Sequence, residues 1–245
     1  MTLPTPEQIQ VLCLDLDDTI LDNRSGMRSA WEAVARMLAG VHPALTPESV
    51  VEQLGRSTRW FWSDPTRVGW GRVDLPGARR EIVGHVLASF SVSDAPLAEE
   101  AARTYTDLRH SSLKLQSGAH DLLDRFRRRL PRLALVTNGS APVQREKIER
   151  FDLEPYFHHV QLEGEFGVGK PDPAVYQNVL RVFDASPEAC LMVGDDYEAD
   201  VLGALAVGMS AAWIDVAGRG RTPVEPPRPH ATVRSLHELA ERLGI

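Results

Sequence analysis

The chain has 245 residues, 43% of them hydrophobic and 25% charged, with a formal net charge of −7. It is long enough to bury a core without disulfide or metal staples, as one large domain or as a core plus a smaller one. The acidic balance speaks against a general nucleic-acid binder, which would be basic, yet it allows a phosphorylated small molecule held by a local cluster of charge. No uninterrupted apolar stretch approaches a membrane span. The opening MTLPTPEQIQ has neither the basic nor the apolar region of a signal peptide. Cys13 and Cys190, each inside an apolar run, read as buried thiols and not as a disulfide framework. These features predict a cytoplasmic protein.

The first apolar run, residues 9–16 (IQVLCLDL), predicts a strand that ends in acid groups. Four helix candidates follow over residues 25–38, 47–62, 78–90 and 97–108, with no strand among them. Residues 118–129 form another helical pattern, with Leu122, Leu123 and Phe126 on one face. Its end, Arg125 to Arg129, reads as a solvated helix terminus, where cations suit the dipole. Beyond it, short apolar runs at 133–137, 160–162, 190–193 and 211–214 alternate with helical patterns at 143–151, 172–183 and 199–207. Asp172-Pro173 has the look of a cap followed by a first-turn proline, and Gly208 that of a C-cap. Residues 218–229 read as a surface loop. Near-continuous apolar runs fit strands buried on both faces. Their alternation with helices predicts a doubly wound, Rossmann-like α/β core with a parallel sheet. The core spans residues 1–22 and 115–245, and an all-helical domain, residues 23–114, is inserted after the first strand.

Four segments concentrate the chemistry. Asp15-Leu16-Asp17-Asp18-Thr19 sets three carboxylates at the end of a buried strand, where their mutual repulsion calls for a compensating divalent cation. Val136-Thr137-Asn138-Gly139 offers a hydroxyl and backbone amides at a strand-to-helix turn, which suit phosphate oxygens. Lys170-Pro171 offers a cation that could neutralise phosphate and carboxylates. Gly194-Asp195-Asp196-Tyr197-Glu198-Ala199-Asp200 again places acids directly after a buried strand, with Asp196 and Asp200 spaced to share a helical face. Oxygen ligands of this kind suit Mg²⁺. Each segment alone is common.

Taken together and in this order, the four segments resemble the motifs of the haloacid dehalogenase superfamily: DxDxT, a Thr or Ser, a Lys, and GDxxxxD. The resemblance covers residues 9–22 and 115–245, and the helical insert resembles the C1-type cap of the superfamily's capped phosphatases. It implies a Mg²⁺-dependent phosphatase. Asp15 would be the nucleophile that forms an aspartyl-phosphate, and Asp17 the acid and then the base. The resemblance further implies that Asp15, the backbone carbonyl of Asp17 and Asp195 hold Mg²⁺. Asp200 would support the metal's water shell, and Thr137, Asn138 and Lys170 would grip the phosphoryl group. Asp18, where many relatives carry glycine, receives no role.

Within the insert, Trp60-Phe61-Trp62 and Trp70 read first as packing. The sharper alternative is that Trp60 and Trp62 line a cleft and contact the leaving group. Arg59, Arg67 and Arg72 flank these aromatics and read as solvated. His85 and His110 read as structural or exposed. The expected partner is a small phosphorylated metabolite, with no nucleic acid or membrane, and the expected state is a monomer. A haloacid dehalogenase or a phosphomutase on the same fold, and a phosphate-sensing domain without turnover, are the competing readings.

Overall fold

A computed structural model describes residues 2–43, 45–71, 74–215 and 227–245. Arg72 and residues 218–226 of the expected surface loop lie outside the described residues. The chain divides into two compact units, Met1–Asp22 with Leu115–Ile245, and Asn23–Lys114.

The first unit is built on six strands: β1 (Val11–Leu14), β4 (Leu133–Thr137), β5 (His159–Leu162), β6 (Cys190–Gly194), β7 (Ser210–Ile214) and β8 (Ala231–Val233). They lie in the order β5-β4-β1-β6-β7-β8, and every neighbouring pair is parallel. A second, two-stranded sheet joins β2 (Leu21–Asp22) to β3 (Lys114–Leu115). The helices are α6 (Ala119–Arg129), α7 (Ala141–Arg150), α8 (Glu163–Phe166), α9 (Pro173–Phe183), α10 (Gly203–Ala206) and α11 (Leu236–Leu243). The architecture is therefore the parallel, Rossmann-like α/β sheet that the apolar runs predict.

The unbroken runs have a clear cause. Val11, Cys13, Ala134, Val136, Cys190 and Met192 pack with Val175, Tyr176, Val179 and Phe183 of α9, while Leu12, Leu14, Leu133, Leu135, Leu191 and Val193 are equally buried. Both faces of the central strands are thus removed from water, at roughly 1.5–3 kcal/mol for each large apolar side chain. Cys13 and Cys190 are free and buried, as expected. The arginines of residues 125–129 end α6, while Phe126 among them faces the core.

The segment expected as a helix over 199–207 is a wide π-type turn, Tyr197–Leu202, that runs into α10. The Gly203 N–H reaches back to Glu198 O, five residues earlier, so one extra residue is accommodated just where the acid groups lie. Gly208 does close the helix, at φ +87°. The sequence pattern missed β8 and α11. β8 has only three residues, whereas α11 carried a usable signal in Ser235, which caps it by accepting from Glu238 N at 3.3 Å, and in the buried Leu236, Leu239, Ala240 and Leu243.

The second unit contains only helices: α1 (Ser25–Val41), α2 (Pro47–Trp62), α3 (Pro65–Gly71), α4 (Leu75–Ser89) and α5 (Ala95–Ser112). Thr46, Asp74 and Asp94 each cap a helix by accepting a backbone N–H two or three residues into it, and each is followed by a first-turn proline. These caps explain why α4 and α5 begin earlier than apolar spacing alone suggests. Val34, Leu38, Val50, Leu54, Phe61, Ile82, Val83 and Val86 form the unit's own core. The short α3 went unpredicted because its two glycines hide the pattern. Gly71 lies so close to the Phe61 ring that an added Cβ would sit 2.7 Å from it. Among the described residues, no helix is long and apolar enough to cross a membrane.

Candidate active site

The sheet order places β1 between β4 and β6, the two strands whose carboxyl ends carry Thr137 and Asp195. From β1 the chain builds outward through β4 and β5, then crosses to the other side of β1 for β6, β7 and β8. The carboxyl ends of strands flanking such a reversal form the crevice where open α/β sheets bind ligands.

Asp15 follows β1 directly and is buried, its N–H donating to Val193 O at 2.9 Å. Lys170 Nζ lies 2.8 Å from Asp15 Oδ1 and 2.5 Å from Asp200 Oδ1, and all three residues are almost wholly shielded from solvent. Burial pushes the Asp15 carboxyl up from 3.8 to about 8; Lys170 opposes that shift, while the negative charge of Asp200 and Asp17 adds to it. Burial also works against charge on Lys170, but Asp15 and Asp200 outweigh it and hold the ammonium well above its ordinary range. Lys170 is therefore a fixed cation at neutral pH.

Asp195, half-buried, completes the group: carboxylate oxygens of Asp15, Asp195 and Asp200 all lie within 4.8 Å of one another. Its backbone is pinned by Trp213, whose indole N–H donates to Asp195 O at 2.9 Å. Asp200 reaches the cluster because residue 194 is glycine. An added Cβ there would meet Asp200 Oδ2 at 2.0 Å. Asp196 points elsewhere: its Oδ1 accepts from Glu198 N and Ala199 N, both at 3.0 Å, so it caps the wide turn and does not share a face with Asp200. Three carboxylates beside one buried ammonium leave excess negative charge, and the donors are all oxygen. That set fits a small, hard divalent cation such as Mg²⁺.

On the other side of Asp15, Thr137 is buried at the end of β4. Gln144 Nε2 donates to Thr137 Oγ1 at 2.7 Å, and the hydroxyl in turn donates to Asn138 O at 3.3 Å. The Asn138 side chain faces the Lys170 backbone. Its Nδ2 donates to Lys170 O and its Oδ1 accepts from Lys170 N, both at 2.7 Å. The side-chain amide is thus committed to the Lys170 backbone and seats that lysine beside Asp15. Gly139, at φ +116°, turns its N–H onto Glu163 Oε2 at 2.7 Å.

Asp17 stands at the mouth of the group, about a quarter exposed. Lys147 Nζ contacts both of its oxygens, at 2.9 and 2.7 Å, and Gln144 Nε2 donates to Oδ2 at 3.1 Å. The sequence did not reveal Gln144, Lys147 or Glu163 as site residues. Lys147 lies within the helical pattern at 143–151, and only the fold brings it to a carboxylate 130 positions away. Asp18 adopts a left-handed conformation, φ +62°, at the turn that follows.

The aromatics of the second unit pack among themselves. Trp60 is half-buried, stacks on the His85 ring at 3.9 Å between centroids and carries the Arg67 guanidinium 4.0 Å above its own ring. His85 also meets the buried Ser57 hydroxyl at 2.9 Å, which gives it the structural part expected of it. Trp62 is exposed and makes an edge contact with the buried Phe61.

Residues 9–208 match the family model described as haloacid dehalogenase-like hydrolase. The chain is 32% identical to the phosphoserine phosphatase of Thermus thermophilus, over 96% of this chain and all of that protein. Among solved structures it resembles the HAD-hydrolase YfnB of Bacillus subtilis, crystallised with magnesium, at TM-score 0.66 and 25% identity over 97% of this chain and 99% of that one. It also resembles a 2-haloacid dehalogenase from Pseudomonas syringae, at TM-score 0.62 and 26% identity over 96% and 98%.

Proposed function

Because this chain belongs to the haloacid dehalogenase-like hydrolase family, we propose that it is a Mg²⁺-dependent phosphatase that hydrolyses a small phosphorylated metabolite through an aspartyl-phosphate on Asp15. The observation that carries this reading is the convergence of Asp15, Asp195 and Asp200 on one another, with Lys170 seated between two of them. Two buried, unpaired cysteines suit a reducing compartment, in keeping with action in the cytoplasm.

In the first half-reaction an Asp15 carboxylate oxygen attacks phosphorus and the bond from phosphorus to the ester oxygen breaks. Asp17 gives that departing oxygen its proton. In the second, water attacks the phosphorus of the aspartyl-phosphate, Asp17 takes a proton from it, and the bond to Asp15 breaks to release inorganic phosphate. Lys170 and Thr137 hold phosphoryl oxygens throughout, and Asn138 contributes by fixing Lys170. Such transfer needs positioning and neutralised charge more than covalent help. Asp15, Asp195 and the backbone carbonyl of Asp17 would hold the cation, with Asp200 beside them. When bound, Mg²⁺ supplies positive charge that offsets repulsion between the phosphoryl oxygens and the attacking carboxylate.

A dehalogenase is the second reading, favoured by the Pseudomonas structure. Asp17 argues against it, because halide leaves without needing a proton. The test is direct: p-nitrophenyl phosphate should be turned over with Mg²⁺ and not after EDTA, and 2-chloropropionate should yield no chloride. Asp15→Asn should lower phosphate release at least about a thousandfold with the fold intact. Wild-type-like turnover by that variant would remove Asp15 as the nucleophile.

A further inference from the structure

The geometry points to Lys147 and Gln144, on one face of α7, as positioning residues that hold the Asp17 carboxylate in place for proton transfer to the leaving group. This inference rests on the phosphatase reading given above and extends it to two residues outside the four motifs.

Asp17 lies three residues beyond β1, with its side chain about a quarter exposed. Both of its oxygens are nevertheless occupied. Lys147 Nζ bridges them at 2.9 and 2.7 Å, and Gln144 Nε2 adds a third contact to Oδ2 at 3.1 Å. The two donors are three residues apart and therefore point from the same side of α7. Gln144 is itself buried, and its one NH₂ group faces Asp17 Oδ2, Thr137 Oγ1 at 2.7 Å and Asn138 O at 2.9 Å. Two hydrogens shared among three acceptors tie the acid to the segment that binds the phosphoryl group. Any shift of α7 moves both together.

An ion pair on a protein surface contributes little and would carry no argument. Here the lysine side chain is only 13% exposed, and it is held against a carboxylate whose task depends on its direction. An acid or base acts only within hydrogen-bond reach of its proton's partner, and a displacement of about 1 Å can cost about a hundredfold. Asp15 and Asp200 already share the Lys170 ammonium, whereas the cation in direct contact with Asp17 is Lys147. Without Lys147 the Asp17 carboxylate would keep only the Gln144 contact to fix its direction.

The experiment compares wild type, Lys147→Met, Lys147→Arg and Gln144→Met with Mg²⁺ on esters whose leaving groups range from p-nitrophenolate to a simple alkoxide. A well-stabilised leaving group hardly needs a proton and an alkoxide does. Lys147→Met should therefore lose about thirtyfold to a hundredfold in kcat on the alkyl ester and less than about threefold on p-nitrophenyl phosphate, with KM nearly unchanged. Lys147→Arg, which can still bridge a carboxylate, should recover most of the alkyl rate, and Gln144→Met should show the same selectivity more weakly. Thermal midpoints within a few degrees of wild type would show that folding is not what changed. An equal loss across leaving groups, or no loss, in variants that fold would overturn this assignment and leave the phosphatase reading standing. A wild-type enzyme inactive on every ester would remove both.

Discussion

The two units of this chain differ in the charge they bury. In the α/β unit, Asp15, Lys170 and Asp200 are sealed from water and bonded to one another. In the helical unit, Arg56 with Glu52, Arg28 with Glu32 and Arg80 with Glu99 pair out in solvent, and the interior is almost wholly apolar. Burying an ion costs several kcal/mol that a partner only partly returns, so stability gives no reason to gather such groups. Reactivity does. The contrast teaches where to look in a two-unit chain: chemistry belongs to the unit that tolerates expensive charge.

Lys170→Met is the substitution that would break this comparison most sharply. It leaves Asp15 and Asp200 buried without their shared cation. Phosphatase turnover should fall at least about a thousandfold, and the metal-free fold should lose about 3–5 kcal/mol in urea titrations. A variant that loses stability but keeps turnover would mean that the buried ions are ordinary structural pairs.

A smaller effect is expected from pH. The folded metal-free protein keeps a proton on Asp15 up to about pH 8, whereas the unfolded chain releases it near 3.8. The folded state then binds more protons between those values, so stability should fall as the pH rises from about 4 to about 8. Urea midpoints at pH 5.5 and 8, with and without Mg²⁺, would read this slope. A midpoint that climbs with pH in the absence of metal would contradict it.

The least effect belongs to the other unit. Glu52→Ala removes the 2.5 Å pair with Arg56, yet both side chains are more than 60% exposed. The change should be within about 0.5 kcal/mol and leave turnover untouched. A larger loss would blur the distinction between the units.

The parts of this molecule legible in the sequence are those written in local patterns. β4 and α2 begin and end at the residues that the sequence pattern predicts, 133–137 and 47–62. The acids of the site were visible because they follow buried strands without a break. What escaped was set by tertiary contact or by departure from regular geometry. Lys147 meets Asp17 only through the fold, Asn138 turns its amide to Lys170, and the Tyr197–Leu202 turn is wider than any helical spacing anticipates. β8 was too short to stand out after a proline-rich stretch, and Arg72 with its neighbour lies outside the described residues.

One consequence follows from the sheet order. The contacts that assemble the acidic group join positions far apart in the chain; Lys170 and Asp15 are 155 residues distant. They arise only where β4, β1 and β6 lie side by side, and the entire helical insert separates the first of these strands from the others. No local segment can hold a remnant of the site. A partly folded molecule, or one with β6 detached, should be inert, so turnover serves as a sensitive gauge of whether the sheet has closed around its central strand.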